Sequence, residues 1–181
     1  MTVPAALRFT YEDYLRLPED RRYEIIGGDL FRIPAPTPYH QHVKLRLAAA
    51  LLEHVSKTGA GEVLDAPCDV VLSATDVVQP DILYVGQDRL SIIGDENVSG
   101  APELVVEVLS PSTAERDRTT KAKIYSRAGV QELWLVDPLA KTVKILRNSP
   151  RGFRSVATYG EAETLASSLL PGLEVRLAGI F

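Results

Sequence analysis

The sequence predicts a single α/β domain built on a mixed β-sheet flanked by helices, and three observations carry that expectation. Leu104-Val105-Val106-Glu107-Val108-Leu109 is almost wholly apolar on both of its alternating faces, the pattern of a central strand covered on either side. A helical segment and a second apolar run, Glu132 to Val136, follow it directly, as in a strand–helix–strand crossover. Short hairpins flank that unit on both sides. The length of 181 residues suits one domain with a real core. Its 45% hydrophobic and 24% charged residues are ordinary globular values.

Each element has a local reason. Thr10 with Asp13 three residues later reads as a helix N-cap with an acidic first turn, and the short helix ends near Pro18. Tyr23–Ile26, Gly27-Gly28 and Asp29–Ile33 read as an N-terminal hairpin, stopped by Pro34, Pro36 and Pro38. From His40 to about Ser56, Val43, Leu47, Leu51, Leu52 and Val55 recur at steps of three and four, an amphipathic helix ended by Gly59 and Gly61. Val63 to Leu72 reads as one strand and Pro80 to Val85 as another, with a polar loop from Gly86 to Gly100. After the central strand, Ser110-Pro111-Ser112-Thr113 breaks the run. A helix is expected from about Thr113 to Ala128, with Gly129 as its C′ residue. Thr142 to Arg147 and Phe153 to Tyr159 are C-terminal strands, and the chain closes on apolar Ile180-Phe181.

Several function classes are excluded. No run of about 18 apolar residues spans a membrane. The start, MTVPAALRFTYEDY, lacks a basic n-region and does not read as a signal peptide, so a cytoplasmic location is expected. One cysteine, Cys68, allows no internal disulfide, and three histidines with it argue against a structural zinc site. A net charge of −4 is not that of a protein that coats nucleic acid, and no base-reading motif is present.

The chemistry centres on two carboxylates. Glu107 sits within an apolar strand, where an ionised carboxylate is costly unless something pairs with it. A protein cation, a bound metal or an outward-facing edge strand would each account for it. Asp81 follows Pro80 at the start of an apolar strand, 26 positions earlier. It reads either as a turn-capping aspartate or as the second carboxylate at one end of the sheet. Two hard oxygen donors with room for water and phosphate suit Mg²⁺ or Mn²⁺. The helix after the Glu107 strand is rich in cations: Arg116, Arg118, Lys121, Lys123 and Arg127. Asp117, Lys121 and Tyr125 share one face at spacings of four, and Lys123 is turned about 200° away. The run is either a solvated surface or a device that aims Lys121 back at the carboxylates.

Taken in order, these motifs resemble a known family. Pro80-Asp81, then Glu107-Val108-Leu109-Ser110-Pro111-Ser112-Thr113, then Asp117 with Lys121 and Tyr125, then Gly129-Val130-Gln131-Glu132-Leu133-Trp134-Leu135-Val136-Asp137-Pro138 form the set. Arg22–Leu30, His40 before the long helix and Leu170-Pro171-Gly172-Leu173 complete it. The chain resembles the Uma family of putative restriction endonucleases, within the PD-(D/E)XK nuclease-like superfamily, over nearly its whole length. The resemblance implies a restriction-endonuclease-like core and a hydrolase that cuts nucleic-acid phosphodiester bonds, with DNA as the expected substrate. It implies that Asp81, Glu107 and the main-chain carbonyl of Val108 are metal ligands, with Glu24 a supporting acid and His40 nearby. Read alone, Glu24 is equally a hairpin-surface glutamate, and His40 a structural histidine at a helix start. The superfamily's lysine stands two residues after the acidic one, where this chain has Leu109; the family moves it onto the next helix, as Lys121.

The mechanism expected is metal-dependent hydrolysis. Asp81 and Glu107 hold the ion, Lys121 orients the nucleophile and stabilises the transition state, and Asp117 and Tyr125 fix the lysine. Arg116, Arg118 and Arg127 would meet backbone phosphates. Two alternatives stand beside it: a non-catalytic binding or regulatory module with a vestigial metal site, and a purely structural Glu107–Lys121 ion pair. A homodimer is a further expectation, with Trp134 and the apolar C-terminal segment facing the partner.

Overall fold

The computed structural model describes residues 7–18 and 21–181. Residues 1–6, part of the stretch on which the leader reading rests, lie outside the described residues.

The N-terminal elements follow their local signals. Helix α1, Tyr11–Tyr14, is closed by a capping box in which Thr10 and Asp13 each satisfy the other's backbone N–H. Strands β1 (Tyr23–Ile26) and β2 (Asp29–Arg32) pair antiparallel around Gly27 and Gly28, at φ 60° and 83°. Two left-handed residues in a row match the hairpin to strand twist, which favours glycine at both. Helix α2, Pro38–Thr58, starts on a Thr37 cap with Pro38 in its first turn and ends on left-handed Gly59. It buries Val43, Leu47, Leu51 and Val55, each worth about 1.5–3 kcal/mol. Leu52, expected on that stripe, is 48% exposed, because it lies about 100° round the helix from Leu51.

The expected strand from Val63 to Leu72 is two strands. β3 (Gly61–Asp65) and β4 (Val70–Ser73) are separated at Pro67 and enter different sheets. Strand β5, Asp76–Val78, is an element that the sequence reading did not separate from its surroundings. Strand β6 spans Ile82–Gly86. The polar stretch after it carries a 3₁₀ turn, Gln87–Ile92, and a two-residue strand β7, Val98–Ser99. The central strand is β8, Leu104–Val108, buried throughout. Strands β9 (Glu132–Asp137), β10 (Thr142–Arg147), β11 (Arg154–Gly160), β12 (Thr164–Leu165) and β13 (Val175–Arg176) complete the chain.

A six-stranded sheet runs β11-β10-β9-β8-β6-β3, and a five-stranded sheet runs β2-β1-β5-β4-β7. In the first, only β8 and β9 are parallel, as a strand–helix–strand unit requires, and the rest are antiparallel. Alternation along β8 sorts the core. Leu104, Val106 and Val108 pack on the side of α2, while Val105 and Leu109 pack on the opposite side with Ile124 and Tyr125. Glu107 lies between Val106 and Val108, so it points to that second side.

The helix between β8 and β9 is not uniform. It is α-helical at Ala114–Arg116, π-helical at Asp117–Lys121, and α-helical again at Ala122–Ala128, ending on left-handed Gly129. Trp134 does not face a partner: it is fully buried, with its indole N–H donating to Glu132 at 3.1 Å. Leu177 and Ile180 of the C-terminal segment are buried in the same core as α2. Among the described residues no helix is long and apolar enough to cross a membrane.

Candidate functional site

Strand pairing brings the two carboxylates together. β6 and β8 are antiparallel neighbours with Ile82 opposite Val106. Asp81, one residue outside β6, therefore falls beside Glu107 at the open end of the pair. Its Oδ2 accepts the Val108 N–H at 2.8 Å. Asp81 is thus both a cap on the sheet end and a member of the carboxylate pair.

The helix 114–128 supplies the rest from above. Asp117, Lys121 and Tyr125 are all buried on its sheet-facing side, as their spacing of four predicts. Lys123 is exposed, as predicted. The Lys121 ammonium lies 2.7 Å from Glu107 Oε1, 2.8 Å from Glu24 Oε1 and 3.7 Å from Asp117 Oδ1. Tyr125 donates its hydroxyl to the same Glu107 Oε1 at 2.6 Å. Glu24 comes from β1 of the other sheet and also accepts the Gln79 N–H at 3.0 Å. It is 5% exposed, so it is not a hairpin-surface glutamate.

Three buried carboxylates, Glu24, Glu107 and Asp117, therefore share one ammonium. Burial raises Glu107 well above the ordinary carboxylate range; Lys121 opposes this, and Asp117, Asp81 and Glu24 add to it. Burial also raises Asp117, against the pull of Lys121. Tyr125 is raised by burial and by the Glu107 charge. Burial alone would lower Lys121, but Glu107 and Glu24 outweigh it and hold the ammonium well above its ordinary range.

His40 enters from the first turn of α2. Its Nε2 lies 2.9 Å from the Val108 carbonyl oxygen and 3.3 Å from Asp81 Oδ2. A carbonyl only accepts, so Nε2 carries the proton. The other ring nitrogen, Nδ1, is buried without a hydrogen-bond partner among the described residues. Burial pulls the His40 pKa down, but the Asp81 contact and the Val108 carbonyl outweigh it and leave it above the ordinary 6.5.

Glu24, His40, Asp81, Glu107, Asp117 and Lys121 line a cleft of about 370 Å³ with residues that the sequence reading did not single out. Lys44 is buried there, its ammonium 3.0 Å from the Ala66 carbonyl and 3.1 Å from Asp65. A cation inside the apolar stripe of α2 was the available signal. Arg22 lines the cleft too and donates to Gln79 at 2.7 Å. The three arginines expected at phosphates do not line it. Arg116 sits 4.5 Å above the Phe31 ring, Arg118 pairs with Asp137 at 2.7 Å, and Arg127 is exposed.

The donor set is hard and oxygen-rich. Glu107 takes both of its hydrogen-bonding contacts on Oε1, and Asp81 takes both of its own on Oδ2. Each carboxylate keeps one oxygen without a donor among the described residues. With the Val108 carbonyl these are oxygen ligands of the kind Mg²⁺ prefers, and a set this small leaves positions for water and phosphate. Among the described residues no group of three or more His, Cys, Asp and Glu side chains is placed to hold a metal ion.

A family model described as Uma2, putative restriction endonuclease, matches residues 11–178. Among solved structures, the chain is similar to one from Anabaena variabilis described as a putative nuclease belonging to DUF820. The two share 20% identity at a TM-score of 0.77, over 96% of this chain and 97% of the other, a likeness of fold. No functionally curated protein matches.

Proposed function

The chain belongs to the Uma2 family of putative restriction endonucleases, and from that premise we propose that it is a metal-dependent endonuclease acting on DNA. The observation that carries this reading is the buried charge imbalance. Glu24, Glu107 and Asp117 surround a single ammonium, beside an Asp81 and a Glu107 that each keep a free oxygen. Buried carboxylates in excess need protons or a cation. A cleft that opens onto them admits the cation.

Asp81, Glu107 and the Val108 carbonyl would hold Mg²⁺ or Mn²⁺. When bound, the ion supplies Lewis-acid polarisation of the phosphate and acidifies water. The chain's own groups do the rest. Lys121 stays protonated, so it is no general base; it contributes fixed positive charge where negative charge develops on the phosphate. Glu24, Asp117 and Glu107 hold that ammonium in place, and Tyr125 holds Glu107. His40 and the Val108 N–H orient Asp81. Arg22 and Lys44 put positive charge on the cleft wall, where a phosphodiester would enter. In the reaction a water oxygen bonds to phosphorus as the bond to the leaving sugar oxygen breaks.

Supercoiled plasmid incubated with Mg²⁺ or Mn²⁺ tests the proposal. Nicking or linearisation by the wild type, lost in Asp81→Ala, is the expected result. Cleavage that survives Asp81→Ala would exclude this site as its source. A second reading, a non-catalytic module, draws support from Lys121 being 3% exposed and held by Glu24 and Glu107, which limits its approach to a substrate.

A further inference from the structure

The back of the 114–128 helix forms a second groove, of about 820 Å³, with the Ser149–Phe153 turn. It lies 100–200° round the helix from the Asp117–Lys121–Tyr125 face, so it is separate from the acidic cleft. Lys123, Arg127 and Arg151 are exposed on its walls, and Arg118 stands at one end. Among the described residues no aspartate or glutamate lines it. Arg118 is paired with Asp137, but among the described residues the side chains of Lys123, Arg127 and Arg151 have no ion-pair or hydrogen-bond partner. Lys57, Arg89 and Lys141 are neutralised locally, by Glu53, Glu103 and Glu161, whereas Arg32, Lys144, Arg154 and Arg176 are exposed without an ion pair among the described residues but do not line this groove.

Three cations without a partner thus line one groove that carries no acid among the described residues, in a chain of net charge −4. We propose that this groove binds the phosphodiester backbone of nucleic acid outside the cleft. The choice of nucleic acid as the polyanion rests on the nuclease reading. The charges sit on the two sides of a channel, as a strand of successive phosphates requires. Ion contacts of this kind add affinity without reading sequence.

The test is binding without cleavage. A labelled 20-base-pair duplex and the matching single strand are titrated with the full chain in chelator, from 50 to 200 mM salt. The comparison is wild type against the Lys123→Ala/Arg127→Ala/Arg151→Ala variant. Loss of three phosphate contacts lowers the salt slope by about 2.7 for duplex or about 2.1 for single strand. The strand form that shows its slope change identifies the bound species. Affinity at 50 mM salt should fall at least about tenfold. Lys123→Arg should keep wild-type affinity, and a single Lys123→Glu should lower it, which keeps the question open to decision if the triple variant folds poorly. Equal affinity and slope for wild type and triple variant overturn the proposal, as does absence of wild-type binding to either form. A triple variant that binds normally but changes oligomeric state would assign the groove to a second copy of the chain instead. Wild type that binds but never cleaves would count against the nuclease reading and leave the groove standing.

Discussion

Lys121 is the residue on which the buried cluster depends, since among the described residues it alone pairs with Glu24, Glu107 and Asp117. Replacing it by methionine keeps most of the volume and removes the charge. Without divalent ions, Lys121→Met should lose about 3–5 kcal/mol of stability in chemical denaturation, because it strands buried carboxylates. Unchanged stability would mean that the carboxylates already carry protons. His40 gives a pH signature of its own. Its pKa is raised on folding, so its contribution is fully present below the ordinary 6.5 and is lost as pH rises through the raised value. The wild type should therefore lose stability across that window, and His40→Ala should show a flatter curve. Identical pH profiles would mean that the imidazole does not hold Asp81 through its charge.

The element that sets the site is the helix 114–128 with its π-helical turn, Asp117–Lys121. Such a turn holds one residue more than an α-turn and is frequent at functional sites. Thr119 and Thr120 are exposed in it. Deleting Thr120 should restore a regular α-helix in which Asp117 stands three and seven positions before Lys121 and Tyr125, still on their face. Divalent-ion binding should then be kept; lost binding would show that the π-turn itself positions the site. The helix, its face and its Gly129 stop were legible from apolar and charged spacing alone. The π-turn was not, because nothing in Asp117-Arg118-Thr119-Thr120-Lys121 distinguishes it from an ordinary turn. The two-way split of residues 63–72 was equally hidden, since both pieces are apolar and β-prone. Asp81 and Glu107 were found by being acidic beside apolar strands. That Arg116, Arg118 and Arg127 lie outside the cleft was not legible, because a helix pattern gives the face of a charge, not what lies across from it.

At the scale of the whole molecule, the cleft joins the two larger sheets: β6 and β8 from one, β1 from the other, closed by α2 and the 114–128 helix. An ion bound there ties these elements together, so it should stabilise the entire fold. At a concentration 100 times its Kd, Mg²⁺ or Mn²⁺ should add about 2.7 kcal/mol, seen as a raised Tm that chelator reverses. No shift with either ion would mean that the cluster is neutralised by protons. The mixed sheet was readable because the central strand is apolar on both faces. The division into three sheets was not, because it depends on pairings far apart in sequence, such as Ile25 with Val77. The central claim is that Asp81 and Glu107 form one divalent-metal site. Calorimetric titration of Mn²⁺ into wild type, Asp81→Asn and Glu107→Gln tests it most directly. One binding event in the wild type, abolished in both variants, is the predicted result; a wild-type isotherm that either variant reproduces would contradict it, and with stability kept in Glu107→Gln would leave a structural Glu107–Lys121 ion pair in its place.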